Sequence, residues 1–220
     1  MDIDQWAESL QQDVYDYWKN NHRDWEGGFR VFYGPVFSEP DVLILGFQPG
    51  GEPEDFARDH LARYQDGDFS VPDTNEYLKN DYRIAKQMRT KVFDGHQYIL
   101  EQSIKSNIIF FRAKDLDTWG EVPKAKREDM EAFSLKKVDE MIETLNPNTV
   151  LIEGMKTWDL IKSRVGFSDE CLARRSNARL LCVSEDQDPT FVGIIHPSTH
   201  VSDENWSKVS TELIPVLTQQ

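Results

Sequence analysis

The stretch Asp41-Val-Leu-Ile-Leu-Gly-Phe-Gln-Pro-Gly-Gly51 decides the fold. Residues 42–45 are four consecutive branched apolar residues, a pattern typical of a strand buried on both faces of a parallel sheet. The residues that follow are rich in glycine and include a proline, so the chain turns directly after the strand. The stretch therefore predicts a central strand whose carboxyl end carries a loop, the place where α/β proteins build their binding sites.

Similar patterns recur along the rest of the chain. Apolar runs predict further strands at residues 106–111, 149–152, 179–183 and 191–195, and aromatic alternation predicts a short one at 29–33. Apolar residues at helical spacing predict helices at residues 4–20, 83–100, 134–145 (with Ser134 as N-cap), 154–164 and 203–217. Strands that alternate with helices predict an α/β fold, a three-layer α/β/α sandwich with a mostly parallel central sheet.

One domain accounts for the whole chain of 220 residues. No internal repeat and no linker rich in proline, glycine or serine divides it. Residues 52–104 are polar and irregular, and they predict an insertion of loops and short helices. We expect a single domain over residues 1–220 and a monomer.

Acidic residues outnumber basic ones by 39 to 25, which gives a net charge of −14. Such a charge opposes indiscriminate binding to nucleic acid or to anionic lipid, because long-range steering is repulsive. The sequence has no run of about 18 apolar residues, so no membrane span is predicted. Its start has neither a basic region nor an apolar core, which predicts that there is no secretory signal and places the chain in the cytoplasm.

Cys171 and Cys182 are too few for a disulfide framework or an iron–sulfur cluster. We expect them to be two reduced thiols. The five histidines form no HExxH pair and no cluster with the cysteines, so the sequence predicts neither a metal site nor another cofactor.

Three segments whose side chains could do chemistry fall at the ends of predicted strands: residues 46–51, Asn107 in the second strand and residues 196–200. Because the carboxyl ends of parallel strands meet at one edge of the sheet, the topology brings these segments together. That convergence predicts a site at this edge.

The same three segments resemble the motifs of the uracil-DNA glycosylase superfamily. In that superfamily the first buried strand ends in a G-x-x-P motif, an asparagine reads the pyrimidine edge, and a late strand runs into an H-P-S loop. Here the matching residues are Gly46 with Pro49, then Asn107, then His196-Pro-Ser. The resemblance covers residues 40–51 and 104–217. It implies a monofunctional DNA glycosylase, since no lysine stands in a motif position.

The resemblance implies three catalytic residues. His196 would stabilise the negative charge of the departing base, and Asn107 would read one edge of a base flipped out of the stack. Gln48 stands where relatives have Asp or Asn, and its amide would orient the attacking water. Glu52 and Asp55 are nearby candidates for a general base.

The resemblance also implies a base pocket, formed by Gly46, Phe47, Pro49, Gly50, Phe56 and Phe69. In the most uracil-specific branch a tyrosine occupies the position of Gly50 and closes the space beside C5 of the ring. Its absence predicts tolerance of 5-substituted pyrimidines, so the excised base would be uracil or a 5-substituted base, including phage-type hypermodified pyrimidines. A role in DNA repair or in phage defence follows from this.

The partner is then DNA that contains a modified base. Residues implied or available for DNA contacts are Ser198, Thr199, His200, Arg112, Arg83 and Arg89, with Lys86, Lys91 and the cluster Arg174, Arg175 and Arg179 as further cations. Only the local face matters for phosphate contacts, so the net charge predicts a positive rim around the site and acidic residues elsewhere. In a bacterium the protein would be associated with the nucleoid.

Two other functions stay open. A catalytically degenerate superfamily member would bind a base, a nucleotide or a protein partner, and both Gln48 and the acidic charge favour it. A hydrolase of a free nucleoside is the third possibility.

Overall fold

Six strands form one sheet in the computed structural model, which describes residues 2–218. They are Val42–Gly46 (β1), Ser103–Asn107 (β2), Thr149–Glu153 (β3), Asp169–Arg175 (β4), Ala178–Ser184 (β5) and Thr190–Ile194 (β6). The order is β2-β1-β3-β6-β5-β4; the first four strands are parallel, and β5 is antiparallel to both of its neighbours. The predicted α/β fold with a mostly parallel sheet is confirmed.

Helices connect the strands. They are Ile3–Asn21 (α1), Pro53–Phe56 (α2), Ala62–Gln65 (α3), Glu76–Lys79 (α4), Arg83–Gln87 (α5), Tyr98–Glu101 (α6), Leu116–Glu121 (α7), Lys124–Leu145 (α8), Met155–Val165 (α9) and Asp203–Thr218 (α10). Two π-helical turns, Ala57–Leu61 and Met88–Val92, follow α2 and α5. Within residues 2–218, every helix is too short or too polar to span a bilayer.

The sheet separates two hydrophobic cores. Leu43 and Leu45 face the core that includes α1 and α8, whereas Val42 and Ile44 face the core that includes α10. This division follows from the period of two in a strand, which sends alternate side chains to opposite faces. Because both faces of β1 are covered, only the ends of the strands are left for chemistry.

Strand β2 differs from its predicted position at 106–111. It ends at Asn107, and the apolar run that follows packs in the core outside the strand. The reason is local: the N–H groups of Ile108 and Ile109 donate to the carbonyl oxygens of Gly46 and Phe47, at 2.9 and 2.8 Å, and turn the chain around the end of β1. Asn107 is therefore the last residue of its strand and lies beside Gly46.

Two other predictions about secondary structure were wrong at their ends. Helix α8 starts at Lys124, so Ser134 is no N-cap; it is buried inside the helix, where its hydroxyl accepts from the Phe110 N–H at 3.3 Å. The helix expected at 83–100 breaks after the π-helical turn, and α6 starts anew at Tyr98.

Strand assignment failed in two places. Residues 29–33 form only an isolated bridge, from Phe29 to Phe111. Strand β4 was not predicted, because its residues are mostly polar or charged and it lies at an exposed edge of the sheet.

Cys171 and Cys182 are bonded to each other, contrary to the expectation of two reduced thiols. The two residues lie on the adjacent antiparallel strands β4 and β5. Their separation of eleven residues spans a hairpin that brings them face to face. The sequence pattern did not show this, because β4 itself was missed.

His60, in the first π-helical turn, gives a pH-dependent prediction. Burial, with help from the charges of Arg30 and Arg112, lowers its pKa from 6.5 to about 4. Between these values the unfolded chain binds a proton that the folded one does not, so stability falls as the pH drops from 6.5 to 4, by up to about 3 kcal/mol. His60→Phe keeps the ring beside Tyr64 and is expected to remove this part of the acid sensitivity.

Urea unfolding of both proteins at pH 7 and pH 4.5 measures the difference. The same loss of stability in the two proteins would contradict a half-buried His60 that is neutral in the folded protein.

Candidate functional site

Gly46 lies at the centre of the candidate site, next to polar side chains from two neighbouring strands. It ends β1, is paired in register with Asn107 of β2, and lies beside β3. A Cβ atom at this position would collide with Asn107 Oδ1 and would lie 3.0 Å from both Glu153 Oε2 and Lys105 Nζ. The missing side chain thus makes room for three polar groups that come from two neighbouring strands.

Two of these groups form a buried ion pair. The side chains of Lys105 and Glu153 are each only 3% exposed, and Lys105 Nζ lies 3.2 Å from Glu153 Oε2. The Tyr77 hydroxyl donates to the other carboxylate oxygen at 2.7 Å. Burial lowers the pKa of Lys105, although the Glu153 charge opposes it, and burial together with Glu153 raises the pKa of Tyr77. The carboxylate is therefore held by one cation and one hydroxyl.

Asn107 is 4% exposed and its amide is engaged at both ends. Its Nδ2 donates to the Tyr33 hydroxyl at 3.0 Å, and its Oδ1 accepts from Lys105 Nζ at 3.4 Å. Burial raises the pKa of Tyr33 to about 12, which keeps the phenol protonated. One amide hydrogen of Asn107 has no partner within residues 2–218.

His196 follows β6 and packs its ring against the position of Gly154, directly after Glu153. Its Nδ1 accepts from the Ser198 N–H at 3.2 Å and lies 2.7 Å from the Ser198 hydroxyl. The proton is consequently on Nε2, which has no partner in the described part of the chain. Burial lowers the pKa of His196; Glu153 opposes this and Lys105 adds to it. At neutral pH the ring is an uncharged donor.

Gln48 lies in the loop after Gly46. Its Nε2 donates to the Asp115 carbonyl at 3.2 Å, while its Oε1 is buried without a partner among residues 2–218. A buried acceptor of this kind is normally satisfied, so it is a place for a water molecule or a ligand donor.

The two carboxylates near Gln48 are already engaged. Glu52 and Asp55 form a capping box at the start of α2. Glu52 also pairs with Lys114 at 2.9 Å, and Asp55 pairs with Arg58 at 3.0 Å. Neither is free to act as a general base in this arrangement.

Phe56 and Phe69 do not reach the strand ends. Phe56 is fully buried against Trp18 and Phe29, and Phe69 packs on Tyr15 and Tyr64. Both pack on the core on the α1 side, Phe56 inside it and Phe69 partly buried against it, and their role in a base pocket stays a prediction. Phe47 is half-buried against the same core.

Other aromatic residues lie at the site instead. Lys105 Nζ sits over the rings of Tyr33 and Tyr77, at 5.5 and 5.6 Å from their centres. Tyr82 packs edge-on against Tyr77 and is 40% exposed. Tyr82 therefore offers an aromatic surface to solvent next to the buried ion pair.

The residues expected to bind DNA divide into two groups. Arg112 is only 6% exposed and donates to the Gly50 carbonyl at 3.1 Å, so it supports the loop and is not on a rim. Arg89 is bound to Asp81 and to two carbonyl oxygens. Arg83, Thr199 and His200 are exposed, whereas Ser198 is half-buried and bonded to His196.

Several cationic side chains near the carboxyl ends of the parallel strands are exposed. Lys156 is in the first turn of α9, and Arg174 and Arg175 end β4 at the same edge. With Arg83 and Lys86, these residues have no ion pair within residues 2–218. Acidic residues are also present at the start of α10, where Asp203 pairs with Lys91 and Glu204 with Lys208. The positive rim stays a prediction.

Among residues 2–218, one group of three side chains has ligand atoms close enough together to hold a metal ion. It consists of Asp169, Cys171 and Cys182. Both sulfur atoms are in the disulfide, and Asp169 is bonded to Trp158 and Lys162. This group lies at the opposite ends of the strands from Gly46, where β4 begins and β5 ends.

Sequence reasoning missed Lys105, Glu153 and the tyrosines around them. A signal was present, since Lys105 and Glu153 are charged residues inside or at the end of strands that are otherwise buried. Charged side chains in buried strands are normally paired, so two of opposite sign on nearby strands are expected to form an ion pair with each other.

No protein-family model matches the chain, and no curated protein is significantly similar to it.

Proposed function

We propose that this chain is a monofunctional DNA glycosylase of the uracil-DNA glycosylase type, which hydrolyses the N-glycosidic bond of a modified pyrimidine. One observation carries the proposal. The loop after Gly46, Asn107 and His196 are far apart in sequence, yet they come together at the carboxyl ends of β1, β2 and β6, with Glu153 between them. These are the three motif segments on which the resemblance rests.

The proposed reaction uses water as its only co-substrate. The bond between C1′ of the sugar and N1 of the base breaks, and its electron pair leaves with the base. Water adds to C1′ of the oxocarbenium-like sugar, and its proton leaves to solvent or to the base. Gln48 Oε1 accepts a hydrogen bond from this water, and His196 Nε2 donates to the base oxygen that becomes negative.

Lys105 lies among these groups, in contact with Asn107, and its setting fits a monofunctional enzyme. A lyase needs an amine that reaches C1′. The ammonium of Lys105 is enclosed and engaged by Glu153, Asn107 and the Ser106 carbonyl.

Gly50 supports the finer proposal that the base carries a substituent at C5. It is exposed, and a Cβ atom there would meet only the Lys114 carbonyl oxygen, at 4.0 Å. Gly50→Tyr is expected to leave the fold intact and to lower kcat/KM for 5-hydroxymethyluracil relative to uracil by about tenfold or more, since it fills space beside the ring. Gly50→Ala is the matched control and should change the ratio little.

The test of the whole proposal is base release from defined oligonucleotides that contain uracil, 5-hydroxymethyluracil or glycosylated 5-hydroxymethylcytosine. A glycosylase leaves an abasic site, and its affinity for DNA falls with salt in proportion to its phosphate contacts. Activity on free nucleosides without salt-dependent DNA binding would favour a nucleoside hydrolase. Uracil-only activity would contradict the proposal that the base carries a substituent at C5.

A non-catalytic base-binding protein is the second candidate. The engagement of Glu52 and Asp55 favours it, because these two carboxylates, the expected candidates for activating water near Gln48, are already bound to other groups. Binding of the same oligonucleotides without any base release would support this candidate.

A further inference from the structure

We infer that Lys105, held in place by Glu153, is a specificity-determining positioning residue: it fixes the amide of Asn107 so that the site accepts a pyrimidine with a carbonyl at C4 and rejects one with an amine. This inference rests on the proposed function and names the substrate class for it. Nothing in the three motif segments requires a lysine here.

The first step is the orientation of the amide. A lysine ammonium has three donors and no acceptor, so it can face only the oxygen of Asn107. Lys105 Nζ lies 3.4 Å from Asn107 Oδ1, and Gly46 lies so close to that oxygen that a Cβ atom there would collide with it. The opposite orientation would place an NH₂ group against the ammonium.

The second step is what the amide then offers to a ligand. Nδ2 gives one hydrogen to the Tyr33 hydroxyl, and its second hydrogen has no partner within residues 2–218. Asn107 therefore presents a donor. A carbonyl oxygen accepts from it, whereas an exocyclic amine meets it donor to donor, which leaves two polar groups unpaired.

The third step is why the lysine stays where it is. Glu153 neutralises it at 3.2 Å, and the Tyr77 hydroxyl holds the far oxygen of that carboxylate. Both side chains are buried, so the pair has little freedom to rotate away. Glu153 and Tyr77 thus act on Asn107 through Lys105.

The experiment compares binding of oligonucleotides that contain 2′-fluoro-2′-deoxyuridine or 2′-fluoro-2′-deoxycytidine, in which the fluorine slows cleavage of the glycosidic bond. Wild type is expected to prefer the uridine probe. The double variant Lys105→Met/Glu153→Gln removes both charges together and is expected to reduce that preference roughly tenfold to a hundredfold, since the amide can then turn. Thermal unfolding checks that the variant is folded.

The matched control is Lys162→Met/Asp169→Asn, which removes another ion pair at the opposite edge of the sheet. It should keep the wild-type preference. A folded Lys105→Met/Glu153→Gln protein with an unchanged preference would overturn the inference, as would a wild type that binds both probes alike or neither of them.

The two proposals fail separately. A wild type that prefers the uridine probe but releases no base from a cleavable oligonucleotide refutes the glycosylase and leaves the positioning role intact. Base release by the wild type, together with a preference for the uridine probe that the double variant retains, supports the glycosylase and refutes the positioning role. Reductive trapping of a covalent adduct on Lys105 would also overturn the inference, because the amine would then be a nucleophile.

Discussion

His196→Ala is expected to slow base release by about a hundredfold to a thousandfold, the usual loss when one donor to a developing negative charge is removed. The reason lies in the geometry of the ring. Nδ1 is occupied by the Ser198 N–H, so the proton is on Nε2, which has no partner within residues 2–218. A donor held in this way needs no reorganisation when the base departs with its electron pair.

Single-turnover kinetics on a uracil-containing oligonucleotide measure this loss, because they isolate the chemical step. Ser198→Ala removes the hydroxyl and keeps the backbone N–H, so it is expected to cost much less than His196→Ala. His96→Ala, on the loop before α6, is the matched control and should retain the wild-type rate.

Asn107→Ala and Gln48→Ala belong to the same experiment. The first removes the donor to the base, and the second removes the buried oxygen proposed to hold the water. If His196→Ala, Asn107→Ala and Gln48→Ala all release base at the wild-type rate, the assigned site is wrong.

Lys105→Met alone is expected to reduce the free energy of unfolding by about 3–5 kcal/mol, because it leaves the carboxylate of Glu153 buried without its cation. The Tyr77 hydroxyl remains as a partner, and a hydroxyl does not neutralise a charge. The double variant Lys105→Met/Glu153→Gln removes the stranded charge, so it is expected to recover most of the loss. The single variant should thus be the less stable of the two.

Urea unfolding of the two variants and of wild type gives this comparison. Lys124→Met serves as the exposed control: its partner Glu128 is on the surface of α8, and loss of such a pair costs at most about 1 kcal/mol. Equal stabilities for Lys105→Met and the double variant would show that Glu153 does not depend on Lys105.

Much of the fold could be predicted from the chain. The runs at 42–45, 149–152 and 191–195 are long enough and apolar enough to be strands only in a buried sheet, and the structure has a strand at each. The placement of His196 near Gly46 followed from the parallel topology, since both were expected directly after strands. Asn107 was expected near the start of its strand, and only the structure made it the last residue of β2, beside Gly46. Strand β4 was missed because an exposed edge strand with charged residues has no apolar pattern.

The candidate pocket was harder to predict. Phe56 and Phe69 have the right chemistry for stacking on a base, yet Phe56 is fully buried in the core beside α1, and Phe69 packs against the same core. Arg112 has the right charge for a phosphate, yet it is buried under the loop at Gly50. The sequence says which chemistry a residue has, whereas its contacts in the folded chain decide whether that group is free for a ligand.

The sequence by itself determined the α/β architecture and the end of the sheet at which Gly46 and His196 lie, because hydrophobic periodicity is a local property and strands that alternate with helices favour a parallel sheet. Only the tertiary structure decided that Lys105 and Glu153 pair beneath Gly46, and that they orient the amide of Asn107. That arrangement depends on the register of β2 against β1 and of β1 against β3. Register is a contact between distant segments, and no local pattern of residues encodes it.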